Sequence, residues 1–181
     1  MRELSLHVLD LIENAIRAGA ATIAVAVEEE PDQDRMIISV EDDGPGLAVP
    51  PDVATDPFYT TKEGKKTGLG LSLLKFRAEQ AGGSFCLTRS DLGGLAVRAR
   101  LPLSSVDRSP LGDLPATLAS VVCTNPEVDL RLRLRVGDRC WQASSAEMER
   151  MLPAGSRGSI ALARRMKERI LEGLSNLHVM A

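Results

Sequence analysis

Between Asp42 and Lys66 the chain has no apolar periodicity, and Gly, Pro, Asp and Lys crowd the stretch. A loop of that length inside a compact domain costs chain entropy, and such loops are usually functional. The segments around it must therefore form a scaffold that can hold it. Upstream, Leu4, Val8, Leu11, Ile12 and Ala15 recur at helical spacing, predicting a helix over Arg2–Ala18 that Gly19 stops. Two alternating segments follow, Ala21–Glu28 and Arg35–Glu41, joined by a polar turn containing Pro31. Downstream, a second helix is expected over Gly68–Ala81. A hairpin of Ser84–Arg89 and Leu95–Leu101 should turn around Asp91–Gly94. The order helix, two strands, loop, helix, two strands implies an α+β fold, a sheet covered by helices on one face.

After the polar link Pro102–Pro110 the character changes. A helix over Asp113–Cys123 is capped by Asp113 and stopped before Pro126. Leu130, Leu132 and Leu134 alternate with Arg131, Arg133 and Arg135 over Val128–Val136, and Gly137-Asp138 turns the chain into a partner strand, Arg139–Ala143. Ser144 and Glu147 form a capping box for a short helix, and a last helix runs from Ser159 to about Leu174. These residues read as a small α+β C-terminal subdomain, residues 104–181, appended to a first domain of residues 1–103. Its arginine face is open to two readings, a solvated strand face or a surface for an acidic partner or a phosphate.

A formal charge of −3 gives no basic excess of the kind that nucleic acid requires, so no nucleic-acid partner is expected. No apolar run approaches the roughly 20 residues of a membrane span. Glu3, Asp10 and Glu13 interrupt the N-terminal apolar pattern, which argues against a secretory signal. Cys86, Cys123 and Cys140 have no metal-type spacing and are odd in number, as expected of reduced thiols in a cytoplasmic protein.

Three elements carry chemistry. On the first helix Glu3, His7, Asp10, Asn14 and Arg17 form a polar stripe. It reads either as a solvated face or as a carboxylate and a carboxamide one turn apart, able to hold a proton and to ligate Mg²⁺. Asp42-Asp43-Gly44-Pro45-Gly46 follows a strand. It is a turn sequence, or a carboxylate held where it accepts from an adenine amino group while the glycines let backbone approach the ring. Thr67-Gly68-Leu69-Gly70-Leu71 opens the second helix and leaves backbone amides free to meet phosphate oxygens. It lacks the Gly-Lys-Ser/Thr ending of a Walker loop. Lys62, Lys65 and Lys66 just upstream are either solvated or a source of positive charge for the same phosphates.

In this order and spacing the elements resemble the ATP-binding domain of the histidine-kinase-like ATPase superfamily (GHKL, the Bergerat fold). That group includes sensor kinases, anti-sigma-factor kinases, gyrase-type topoisomerases, a class of heat-shock chaperones and the MutL proteins. Asp10-Leu11-Ile12-Glu13-Asn14-Ala15-Ile16-Arg17-Ala18-Gly19-Ala20 is similar to the N box, closest to that of MutL. Asp42–Gly46 is similar to the first glycine box, Asp56-Pro57-Phe58-Tyr59-Thr60-Thr61-Lys62-Glu63-Gly64 to the sensor-kinase lid segment, and Thr67–Leu71 to the second glycine box. Gly93-Gly94 with the strand to Leu103 is similar to the family's closing strand. The resemblance covers Met1–Leu103. It implies a Bergerat-type α/β sandwich that binds ATP and Mg²⁺. Asn14 would be the metal ligand, with Arg17 beside it. Asp42 would bind the adenine amino group, with Gly44 and Gly46 shaping the pocket. Phe58 and Lys62 would belong to the lid, and Thr67, Gly68, Leu69, Gly70 and Leu71 would meet the phosphates.

Two departures bear on function. Sensor kinases usually carry Asn four residues before the metal-binding Asn, whereas topoisomerases, MutL and anti-sigma kinases carry a Glu that acts as general base. Here Asp10 stands there, one methylene shorter, and the resemblance implies a catalytic base. Leu95 stands where some relatives place a Thr that helps to hold adenine through water. A sensor kinase also needs a phosphoacceptor His on a dimerising hairpin ahead of its ATP domain. With the domain beginning at residue 1, and neither His7 nor His178 followed by an acidic residue, a self-contained histidine autokinase is not expected. The expectation is a stand-alone kinase that phosphorylates an unidentified partner protein in the anti-sigma-kinase manner. The alternative is an ATP-hydrolysing conformational switch that docks or releases a partner through its C-terminal region. A homodimer is compatible with either.

Overall fold

The computed structural model describes residues 3–58 and 69–179. Its elements are α1 (Leu4–Arg17), β1 (Thr22–Glu30), β2 (Arg35–Asp42), α2 (Pro51–Ala54), α3 (Leu69–Gln80), β3 (Ser84–Arg89) and β4 (Leu95–Pro102). They continue with α4 (Leu114–Thr124), β5 (Asp129–Val136), β6 (Arg139–Ser144), α5 (Ser145–Arg150) and α6 (Ile160–Leu177). Six strands form one mixed sheet in the order β3-β4-β2-β1-β5-β6. Neighbours are antiparallel except β1 and β5, which run parallel. A parallel pair needs a long crossover, and here the chain returns through α4 before entering β5.

Period-two alternation decides which face is packed. Ile23, Val25 and Val27 of β1 lie opposite Leu130, Leu132 and Leu134 of β5, and Val25 and Val27 lie opposite Val40 and Ile38 of β2. All eight are buried and join one apolar cluster with Leu4, Val8, Leu11 and Ile12 of α1, Leu74 and Ala78 of α3, Leu118 of α4 and Met166 and Ile170 of α6. Burying one such side chain contributes about 1.5–3 kcal/mol, so the cluster outweighs any single polar contact. The other face carries the arginines that alternate with these leucines. Arg135 donates to Glu28 and Glu30, Arg133 to Glu28, and Arg35 to Glu30.

The expected boundary near residue 103 falls in the irregular stretch between β4 and α4. Residues beyond it continue the sheet of the first hundred, and α4 packs on α1. The α1 N-terminus depends on that stretch. The Glu3 side chain makes no cap, and the amides of Leu4 and Ser5 donate instead to the carbonyls of Pro110 and Leu111, both at 2.9 Å. The later helices follow the capping expected from sequence. Asp113 accepts from the Ala116 amide, Ser144 from Glu147 and Ser159 from Leu162. Among the described residues of the polar 42–66 stretch lies the short helix α2, where Pro51 suits a first helical turn. Among the described residues no helix is long and apolar enough to cross a membrane.

The last helix seats on β6 through Gly173 and Trp141. A Cβ at Gly173 would stand 2.6 Å from Trp141 Cδ2, so only Gly lets the indole lie against the helix backbone. Arg169 covers the ring from 5.8 Å as a cation–π partner. In a helix interior Ala is favoured over Gly by about 1 kcal/mol, and overpacking costs about 1–3 kcal/mol. Gly173→Ala is therefore expected to be net destabilising by about 1 kcal/mol in urea unfolding. A Trp141→Phe background should recover part of the loss, and an unchanged or stabilised Gly173→Ala protein would refute the close packing.

Acid should also weaken the fold. The carboxyl of Asp43 is held below its usual range, chiefly by the Thr22 amide and also by the Ala21 amide. Glu30 is lowered mainly by its hydrogen bond from Arg135, then by Arg35, and Asp34 mainly by Ser104. Each is depressed in the folded state, so its contribution is complete above the ordinary carboxylate pKa and is lost as pH falls through the folded value. Tm is expected to hold from neutrality down to about pH 5 and then to fall. Asp43→Asn should lower Tm at neutral pH and flatten that acid limb. An acid limb identical to that of the unaltered protein would remove Asp43 from the account.

Candidate functional site

Asp42 ends β2 and is buried, 7% exposed. Its Oδ1 accepts from the Gly44 amide at 2.9 Å and the Leu95 amide at 3.2 Å, and its carbonyl accepts from the Gly94 amide at 3.0 Å. Two separate segments thus fasten one carboxylate, while Oδ2 takes no hydrogen bond among the described residues. Gly94 is required by close approach, since a Cβ there would collide with Asp42 Oδ1 and with the Gly44 amide. Gly46 has φ +78° with its Cα facing the Gly94 carbonyl, so a side chain there would be strained.

Asp43, next in the chain, faces the other way. Its Oδ1 accepts from the amides of Ala21 (2.8 Å) and Thr22 (2.9 Å), tying the loop to the start of β1. Of two adjacent aspartates, Asp43 thus binds the loop back to the start of β1, whereas Asp42 binds the end of β2 to the loop and to the start of β4.

Asp10 and Asn14 lie one turn apart on α1, both half-buried. The start of α3 meets them there. A Cβ on Gly70 would stand 3.5 Å from Asn14 Nδ2 and 3.5 Å from the Asp10 Cβ. The α3 N-terminus, where amides lack intrahelical partners, therefore lies beside the carboxylate and the carboxamide. Arg17 donates to Asn14 Oδ1 and reaches Glu13 at 3.7 Å. The polar stripe expected on α1 is not uniformly solvated, because His7 is 1% exposed while Arg17 lies at the surface.

The expected site residues are thus distributed unevenly. Asp10, Asn14, Arg17 and Gly70 come together, and Asp42, Gly44 and Gly46 gather around Gly94. Phe58 is 84% exposed, and its amide donates to Asp56. Leu71 is half-buried against the core. Lys62, Thr67 and Gly68 lie outside the described residues, and Leu69 is described through its backbone.

A supporting network escaped the sequence reading. The Ser90 hydroxyl donates to Glu41 at 3.2 Å and accepts from the Leu92 amide at 3.0 Å, while the Ser90 amide donates to the Gly94 carbonyl at 2.9 Å. It fixes the β3–β4 turn that brings Gly94 and Leu95 to Asp42. Ser at the head of Ser90-Asp91-Leu92-Gly93-Gly94 was the available signal, since Ser there bonds the backbone two residues on.

Comparisons with known proteins agree with the motifs. The model of the family described as "Histidine kinase-, DNA gyrase B-, and HSP90-like ATPase" matches residues 2–105. The chain is 36% identical over 101 residues to sensor histidine kinase CpxA of Escherichia coli K12, covering 52% of this chain and 21% of that protein. It is 33% identical over 100 residues to sensor protein CitS of Halalkalibacterium halodurans, covering 51% of this chain and 18% of that one. The chain thus spans about a fifth of the length of these curated relatives. Among solved structures, the ATP binding domain of PrrB from Mycobacterium tuberculosis is similar at TM-score 0.40 and 27% identity, over 55% of this chain and 67% of that one. The histidine kinase domain of the E. coli osmosensor EnvZ is similar at TM-score 0.38 and 35% identity, over 55% and 65%. With more than half its length matched by the family model, the chain belongs to the histidine kinase-, DNA gyrase B- and HSP90-like ATPases.

Proposed function

We propose that the chain binds Mg·ATP where α1, the 42–46 loop and the start of α3 converge, and transfers the γ-phosphate to a hydroxyl of a partner protein. The meeting of Gly70 with Asp10 and Asn14 carries this proposal. It sets the positive end of a helix beside an oxygen ligand for a hard cation and a carboxylate that can take a proton. Among the described residues no group of three or more His, Cys, Asp or Glu side chains could hold a metal by itself. A Mg²⁺ beside Asn14 would therefore need the anionic oxygens of a bound triphosphate, as expected of a nucleotide-borne cation.

Bound Mg·ATP would supply an electrophilic phosphorus whose surrounding charge is already partly neutralised. This chain's residues would do the rest. Asn14 would present Oδ1 to the cation, giving up the hydrogen bond from Arg17. Asp42, its Oδ1 already taken, would aim Oδ2 at the amino group of adenine. A guanine carbonyl at the same place would face a carboxylate oxygen with no proton between them, which disfavours GTP. The amides of Leu69 and Gly70 would meet phosphate oxygens, with Thr67, Gly68, Leu71 and Lys62 completing that side and Phe58 on the lid. Asp10 would accept the proton of the incoming hydroxyl.

The proposal does not use the chain's own histidines as acceptors. His7 is buried in α1, and His178 closes α6 in a left-handed conformation at φ +56°. A cytoplasmic setting, with Mg·ATP at hand and Cys86, Cys123 and Cys140 as free thiols, suits the proposal.

A second reading, an ATP-hydrolysing switch, is favoured by the bonds that the first amides of α1 donate to the Pro110 and Leu111 carbonyls. They link the C-terminal region directly to the helix that carries Asp10. The decisive experiment follows γ-labelled ATP in extract of the source organism. A labelled protein that requires Asp10 supports the kinase, whereas Asp10-dependent free phosphate with no labelled band supports the switch.

Asn14→Ala is expected to abolish Mg·ATP binding in titration calorimetry, and normal heats would eliminate it as the cation ligand. Asp42→Asn should weaken ATP by roughly tenfold or more while leaving weak GTP binding little changed, in line with about 1–3 kcal/mol for a lost buried partner. Equal losses for both nucleotides would count against an adenine contact. Asp10→Asn should retain ATP affinity yet stop phosphate release and transfer, and an unchanged rate would exclude it as base.

A further inference from the structure

The open face of the sheet is not used by the proposed phosphotransfer. Register sets its residues in rows across all six strands, one of which reads Gln142, Arg133, Ala26, Ser39, Arg98, Cys86 from β6 to β3. Arg131 stands to one side of this row, and Arg135 and Arg100 to the other. The side chains of Arg98, Arg131 and Arg133 are 44%, 51% and 52% exposed, so no described helix covers this face. Ala26 and Ser39 are nevertheless buried, at 7% and 6% exposure, as small residues between longer side chains of the same and neighbouring rows.

Charge separates this face from the rest of the chain. Arg35, Arg98, Arg100, Arg131, Arg133 and Arg135 share it with only Glu28, Glu30, Glu41 and Asp129, an excess of two positive charges on a chain of net −3. Glu28 and Glu30 are divided among Arg35, Arg133 and Arg135, which leaves guanidinium N–H groups unused. Arg100 has no ion pair or hydrogen bond among the described residues.

We infer that this face docks an acidic segment of a partner protein, whose carboxylates meet Arg98, Arg100, Arg131 and Arg133. On β4 and again on β5 two arginines stand two residues apart, about 7 Å, which matches alternate side chains of an extended acidic segment. A nucleic acid fits poorly. The rows offer no aromatic side chain on which bases could stack. The inference does not depend on nucleotide binding.

The test titrates the purified full chain, without nucleotide, into a fluorescein-labelled peptide of alternating Glu and Thr and reads anisotropy. The matching Lys–Thr peptide and a labelled oligouridine serve as comparisons. Binding of the Glu peptide alone, falling steeply with added salt, is the expected result. Arg100→Glu, which breaks no internal pair among the described residues, should weaken it by roughly fivefold or more, and Arg100→Glu with Arg131→Glu by far more. Unchanged thermal melting shows that these variants fold, and Arg100→Ala replaces the first if it does not. Absence of binding, equal affinity for the Lys peptide, tighter binding of the oligouridine, or variants that bind like the unaltered protein would each overturn the inference.

Discussion

The Asp42 carboxylate is the joint on which the geometry of the proposed adenine side depends. Its Oδ1 is shared by the amides of Gly44 and Leu95, and its carbonyl holds the Gly94 amide. These bonds close the end of β2 against the start of β4 while turning the chain out of the sheet into the 43–58 loop. A buried carboxylate that accepts two amides is costly to move, because any displacement leaves polar groups without partners. The position of Oδ2 is thus inherited from the sheet rather than from a mobile side chain. Ser90 and Glu41 extend the same logic one layer outward by holding the turn that delivers Gly94.

The sheet is in turn organised around β1. It pairs antiparallel with β2 and parallel with β5, so the first hundred residues and the C-terminal region meet on it. On the packed side this gives a continuous row of Val, Ile and Leu. On the open side the same alternation sets Glu28 and Glu30 beside Arg133 and Arg135. Such partly exposed pairs contribute little stability, and they specify register more than strength. A slip of one residue would turn the leucines outward and the arginines into the core.

Much of this was legible in the sequence because it obeys short-range rules. The alternation of β5, the caps at Asp113, Ser144 and Ser159, and the order of motifs around Asn14, Asp42 and Gly70 are all local signals. What was not legible is long-range. Nothing in Val128–Val136 indicates that its partner is β1, because alternation fixes a face and not a neighbour. His7 sits at polar-stripe spacing yet is buried, since the face it occupies is decided by packing that helical periodicity cannot register. Nor does the pair Asp42-Asp43 reveal which backbone amides each carboxylate will hold. That depends on where Ala21 and Leu95 arrive in space.

The dependence of α1 on the C-terminal region follows from the same accounting of backbone donors. A helix that starts without a side-chain cap must find acceptors for its first amides elsewhere, and α1 finds them at Pro110 and Leu111. Asp10 lies six residues beyond Leu4, roughly 9 Å along the helix axis. A helix moves largely as one rigid element, so a shift of the 110–112 segment would carry Asp10 and Asn14 with it. Gly70 stands across from both, where a Cβ would come into van der Waals contact with Asn14 Nδ2 and the Asp10 Cβ. A partner acting on the 110–112 segment would therefore act on the spacing between the proposed base and the helix start that faces it.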